Sequence, residues 1–115
     1  MLRRSKATVS VPIRPSFTSG DLKISFTQRR VTVAGKEVKL TPTEYSLLRE
    51  LVLNAGKVLT HTHLLNKVWG SEYREDTQYL HVFIRRLRAK FEPAPANPRY
   101  IMTVPGVGYR FKDIT

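Results

Sequence analysis

Residues 78–92 hold the side chains best suited to chemistry, and their spacing is helical. At about 100° per residue, Leu80, Ile84, Leu87 and Phe91 share one narrow sector, which predicts a stripe facing a core. The opposite sector carries Gln78, Val82, Arg85 and Ala89, with Arg86 on its flank. Val82 and Ala89 are small enough to let this face approach another surface. Arg85 and Arg86 bring planar guanidinium forks that can pair with guanine O6 and N7, and Val82 suits a thymine methyl. A helix with its side chains is about as wide as the B-DNA major groove. The expected base-reading set is therefore Gln78, Val82, Arg85 and Arg86. Arg88 and Lys90 fall nearer the edges of the face, where phosphates would run.

A basic helix face that merely stays solvated is the plain alternative. Groove-compatible width, base-reading side chains and overall charge together favour the reader. The 115 residues include 20 Lys and Arg against 9 Asp and Glu, a formal charge of +11. Residues 84–112 alone hold seven basic residues and one acidic residue, Glu92. Such an excess repels itself in a compact state and suits a polyanionic partner.

Other chemistries find little support. There is no cysteine, so no disulfide, thiol nucleophile or Cys-based zinc site is expected. His61 and His63 diverge on a helix, and His81 is distant in sequence, so no metal pair is expected. No metalloprotease, nucleophile-elbow or phosphate-loop motif occurs, and the acidic residues are scattered. The chain reads as no enzyme, with no cofactor. No run of about 18 apolar residues exists to cross a membrane, and the basic N-terminus lacks an apolar segment. A cytoplasmic protein fits. The main rival is an RNA-binding basic module, which would need aromatics exposed on a sheet for base stacking. A module that binds protein in place of nucleic acid is a further rival, and the Arg-rich face speaks against it.

The elements that must hold this face can be read in order. The first twenty residues contain Pro12, Pro15 and four cations without a persistent period, which predicts a flexible arm, with the domain over 21–115. Leu22, Ile24 and Phe26 alternate with polar residues. Residues 30–33, a turn at 34–36 and residues 37–40 complete a small β meander. Thr41-Pro42-Thr43-Glu44 is a helix start: Thr41 caps, Pro42 suits the first turn and Glu44 completes a capping box. Tyr45, Leu48, Leu51 and Val52 form its apolar stripe, and Gly56 is its stop. Thr60 caps a second helix that ends at Gly70. Residues 71–76 read as a polar loop. Asp76 or Thr77 caps the third helix, which runs to about Glu92 before three prolines. A hairpin over 99–112 closes the chain, with Pro105-Gly106 suited to a type II turn. Arg99, Arg110 and Lys112 lie on or beside it, and its slim tip can lie against phosphates or enter a minor groove. The start of the second helix offers backbone N–H groups to a phosphate. Trp69 reads as a core residue whose indole N–H can also reach a phosphate at the surface.

Three stretches then form a familiar set. They are Leu40-Thr41-Pro42-Thr43-Glu44-Tyr45-x-Leu47-Leu48, the run from Gly56 to Trp69-Gly70, and Ile84-Arg85-Arg86-Leu87-Arg88-x-Lys90 with Thr103-Val104-x-Gly106-x-Gly108-Tyr109-Arg110-Phe111. Over residues 21–111 the chain resembles the C-terminal effector domain of OmpR/PhoB-type response regulators, in the KdpE-like branch. The resemblance implies an α+β winged helix-turn-helix: a four-stranded antiparallel sheet, three helices and a C-terminal hairpin wing. It implies sequence-specific binding of duplex DNA in a bacterial two-component system, with helix 77–92 in the major groove. Thr60, Trp69, Arg88, Thr103, Tyr109 and Arg110 are then the expected DNA-backbone contacts. Loop residues Glu72, Tyr73 and Glu75 match a segment that touches RNA polymerase in some members. A receiver domain upstream, a sensor kinase and tandem direct-repeat half-sites are implied too, with the isolated domain monomeric. Departures stand at His81 and Phe83, where many members carry Asp and His. Pro105 stands where some carry Arg, so phosphate contacts are expected at the wing tip in place of a minor-groove arginine.

Overall fold

The computed structural model describes residues 16–73 and 75–112. Four short strands come first: β1 (Ser16–Ser19), β2 (Leu22–Ser25), β3 (Arg30–Val33) and β4 (Lys36–Val38). They form one antiparallel sheet in sequential order. Pairings such as Phe17 with Ile24, and Ile24 with Val31, put Phe17, Leu22, Ile24 and Val31 on one buried face. That is the period-2 alternation of a half-covered sheet. The flexible arm expected over residues 1–20 overlaps this sheet at residues 16–19. β1 lies inside that stretch because Phe17 has a core to enter: its ring meets Phe111 edge-on at 5.6 Å. Residues 1–15 lie outside the described residues.

Helix α1 (Pro42–Leu53) starts as its sequence dictates. Thr41 Oγ1 accepts from the Glu44 N–H at 3.2 Å, and Glu44 Oε1 accepts from the Thr41 N–H at 3.0 Å. Helix α2 (His61–Val68) is capped by Thr60, and Gly70 follows with φ of 116°. A short 3-10 turn (Ser71–Tyr73) precedes helix α3 (Thr77–Phe91). Asp76 stands at the N-cap of α3, but its side chain makes no capping hydrogen bond, contrary to expectation. Leu47, Leu48, Leu51, Leu64, Leu65, Leu80, Ile84 and Leu87 interlock with no more than 1% of their surface exposed. Each such side chain contributes about 1.5–3 kcal/mol.

The C-terminal hairpin, β6 (Ile101–Val104) and β7 (Gly108–Phe111), is joined by a strand the sequence did not announce. β5 (Val58–Thr60) pairs with β7, giving the order β5-β7-β6. Three residues between a glycine stop and a helix cap are too few to show a period. The wing turn matches the Pro-Gly expectation: the Val107 N–H donates to the Val104 carbonyl at 3.0 Å, and Gly106 takes φ of 76°.

Candidate nucleic-acid interface

The outward face of α3 is open. Gln78, Val82, Arg85, Arg86 and Ala89 are all exposed, while Leu80, Ile84, Leu87 and Phe91 face the core. Among the described residues neither Arg85 nor Arg86 forms an ion pair. Arg86 rests 5.0 Å over the Phe83 ring, which is packed in turn by Trp69 and Tyr79. Two unneutralised guanidinium forks thus stand beside the short side chains of Val82 and Ala89.

The flank of α3 turned toward the wing is bonded to it. Arg88 Nη2 donates to the Ile101 carbonyl at 2.8 Å and to Thr103 Oγ1 at 2.9 Å, and Nε donates to Ile101 at 3.3 Å. His81 Nδ1 and the Tyr109 hydroxyl share a hydrogen bond. Glu92, only 6% exposed, accepts from the backbone N–H groups of Arg99, Tyr100 and Ile101. Burial pushes the Tyr109 phenol above its ordinary pKa of 10.0, against the pull of Arg88 and Arg85, so it stays protonated. Of the expected backbone contacts, Arg88, Thr103 and Tyr109 therefore already hold partners within the protein. A groove of about 810 Å³ runs along this seam between α3, the 95–98 loop and β6.

The remaining candidates lie around this face. Thr60 Oγ1 accepts from the His63 N–H, and the His61 N–H donates to Val107 in the wing turn. Two of the first three α2 amides expected to meet a phosphate are thus already used. Thr60 and Arg110 are exposed. Trp69 is half-buried at the C-cap of α2. Glu72, Tyr73 and Glu75 are exposed, with Tyr73 stacked 6.3 Å from Tyr79. His61 stands 5.4 Å from His81, a meeting that sequence distance hid. Burial, then the nearby His81, lowers the His61 pKa below 6.5. Sequence reasoning assigned no role to His81, Tyr79 or Glu92. A signal existed for Glu92, the single carboxylate among seven cations.

The N-terminal sheet does not supply a base-stacking platform. A groove on its outer side is lined by Ser16, Thr18, Lys23, Ser25, Arg30 and Thr32, with no aromatic side chain. That weakens the RNA-binding alternative. Among the described residues no three His, Asp or Glu side chains gather as a metal set, and no helix is long and apolar enough to cross a membrane.

Residues 35–111 match the family described as "Transcriptional regulatory protein, C terminal". The chain belongs to this family. It is a family of DNA-binding effector domains of response regulators, of the OmpR/PhoB type, and not of enzymes. The KDP operon transcriptional regulatory protein KdpE of Escherichia coli is 43% identical over 110 residues, covering 96% of this chain and 48% of the relative. The sensory transduction protein RegX3 of Mycobacterium leprae is 42% identical over 95 residues, covering 83% of this chain and 48% of the relative. The chain thus spans about half the length of the curated relatives it matches. Among solved structures, the response regulator DrrB of Thermotoga maritima superposes with a TM-score of 0.78 at 38% identity, over 86% of this chain and 45% of that one. The DNA-binding domain of Klebsiella pneumoniae RstA, solved in complex with the RstA box, gives 0.78 at 31% identity, over 86% and 98%. The family fold and the observed one agree: a four-stranded antiparallel sheet, three helices and a hairpin wing.

Proposed function

We propose that this chain reads duplex DNA in a sequence-specific manner as the effector half of a bacterial two-component transcriptional regulator. One observation carries the reading: the face of α3 opposite the core presents Arg85 and Arg86 without an ion pair among the described residues, beside the small Val82 and Ala89. Gln78, Val82, Arg85 and Arg86 meet base edges in the major groove. Thr60, Trp69 and Arg110 fix the duplex through its backbone, and the wing lies along it. The exposed loop carrying Glu72, Tyr73 and Glu75 is offered to RNA polymerase. A receiver domain and its sensor kinase complete the pathway in the cytoplasm. The receiver drives pairing on tandem direct-repeat half-sites, so the isolated domain is monomeric.

The experiment is selection of bound duplexes from a randomised pool, with structured RNA as competitor at moderate salt. A recovered consensus with direct-repeat character is the expected result. Recovery without any consensus, or preference for the RNA, would overturn the reading.

A further inference from the structure

We infer that Arg88 is a positioning residue, which locks the wing to the reading helix as one rigid unit, and not a phosphate ligand. The inference rests on the DNA-reading role proposed above. His81, Arg88 and Glu92 follow at intervals of seven and four residues, which keeps them on one flank of α3 and its C-cap. Each bonds a different point of the C-terminal sheet: His81 the Tyr109 hydroxyl on β7, Arg88 the carbonyl and side chain on β6, Glu92 the amides leading into β6.

Arg88 occupies the middle of this seam and makes its most directional contact. Its Nε and Nη2 converge on one carbonyl, at 3.3 and 2.8 Å, while Nη2 also reaches Thr103 Oγ1. Its guanidinium lies 5.7 Å over the Tyr109 ring. Nε and Nη2 are thereby both committed to the wing strand β6. Thr103 pairs with Tyr109 in the strand register, so Arg88 grips both wing strands at one rung. The Val107 carbonyl in the wing turn is held in addition by the His61 N–H of α2. The wing is thereby fixed to the two helices that precede it. The angle at which Arg85 and Arg86 meet base edges, while the wing meets the backbone, is then set before DNA arrives.

The test compares wild type, Arg88→Ala, Arg88→Lys and Thr103→Val in the 115-residue chain. Amide hydrogen exchange over residues 102–110 is measured without DNA, and affinity for a duplex from the selection is measured across a salt series. A phosphate ligand contributes about 0.9 to the slope of log K against log salt. A positioning residue leaves the slope unchanged. The expected result for Arg88→Ala is wing exchange faster by about tenfold and specific affinity weaker by about tenfold, as for loss of a charged hydrogen bond. Its salt slope stays within a few tenths of wild type. Thr103→Val shifts exchange and affinity the same way by a smaller factor, without removing any cation. Arg88→Lys, which cannot make the forked contact, also frees the wing. A slope lowered by nearly one unit with wing exchange unchanged would overturn the inference. If Arg88→Ala does not fold, the Thr103→Val and Arg88→Lys measurements decide. If wild type binds no duplex at all, the functional reading fails, while the exchange data still judge the seam.

Discussion

Glu92 lies against Tyr100, and both of its carboxylate oxygens accept from the Tyr100 backbone N–H, at 3.1 and 2.9 Å. The same carboxylate takes the amides of Arg99 and Ile101, at 2.7 and 2.8 Å. Two of these successive donors, at Tyr100 and Ile101, are buried and would otherwise be unsatisfied, while the third, at Arg99, is part-buried.

Glu92→Ala should therefore destabilise the domain by about 2–4 kcal/mol, and Glu92→Gln by about half as much, since one acceptor oxygen survives. Urea unfolding of both variants measures this. A loss below about 1 kcal/mol for the alanine variant would show that water replaces the carboxylate.

Gly108 is required by contact rather than by backbone angle. A Cβ added there would lie 1.9 Å from the Leu59 carbonyl oxygen, because β5 pairs with β7 at this point. Gly108→Ala should force β5 and β7 apart and cost about 2–3 kcal/mol or more. Thermal unfolding checks it. The control is Gly106→Ala, where a Cβ meets no atom within 4 Å and only the strain of φ 76° remains. That control should cost about 1 kcal/mol. Equal losses in the two variants would contradict this close contact.

Arg86→Ala should weaken binding to the selected duplex by about 1–3 kcal/mol and relax preference at one or two base pairs. With about five phosphate contacts, log K for wild type should fall with log salt at a slope near −4 to −5. Competition titrations against single-base variants give the first quantity and a salt series the second. Unchanged discrimination would remove Arg86 from the reading set, and a flat salt dependence would remove the electrostatic account.

Acid should unfold the domain in two limbs. Burial alone would raise the Glu44 pKa. The Lys90 hydrogen bond, the Thr41 N–H and the Lys90 charge outweigh it, so the carboxyl titrates below 4.5. A depressed carboxyl pKa gives stability that is complete above pH 4.5 and lost as pH falls through the folded-state value. The lowered His61 pKa means that the unfolded chain takes up its proton first, so stability also declines as pH drops below 6.5. Stability against pH should lose its upper limb in His61→Asn and its lower limb in Glu44→Gln. Curves parallel to wild type in both variants would assign the acid response elsewhere.

The order of local signals along the chain sufficed for much of this molecule. Thr41, Pro42 and Glu44 define the start of α1 because their partners lie within four residues. The apolar stripe of α3 and the Pro105-Gly106 turn are equally local, and the face holding Arg85 and Arg86 follows from the stripe by helical geometry alone. Tertiary structure decided what depends on distant partners. Phe17 joins the core only because Phe111 returns beside it, which turns part of the expected arm into β1. Val58–Thr60 becomes a strand only because β7 runs past it. Arg88 falls by periodicity at the edge of the reading face, where a phosphate is expected, and the acceptors it meets in the fold, Ile101 and Thr103, lie thirteen and fifteen residues later in the chain. Helical periodicity states which way a guanidinium points. Whether its donors are free depends on which acceptors the folded chain brings within about 3 Å.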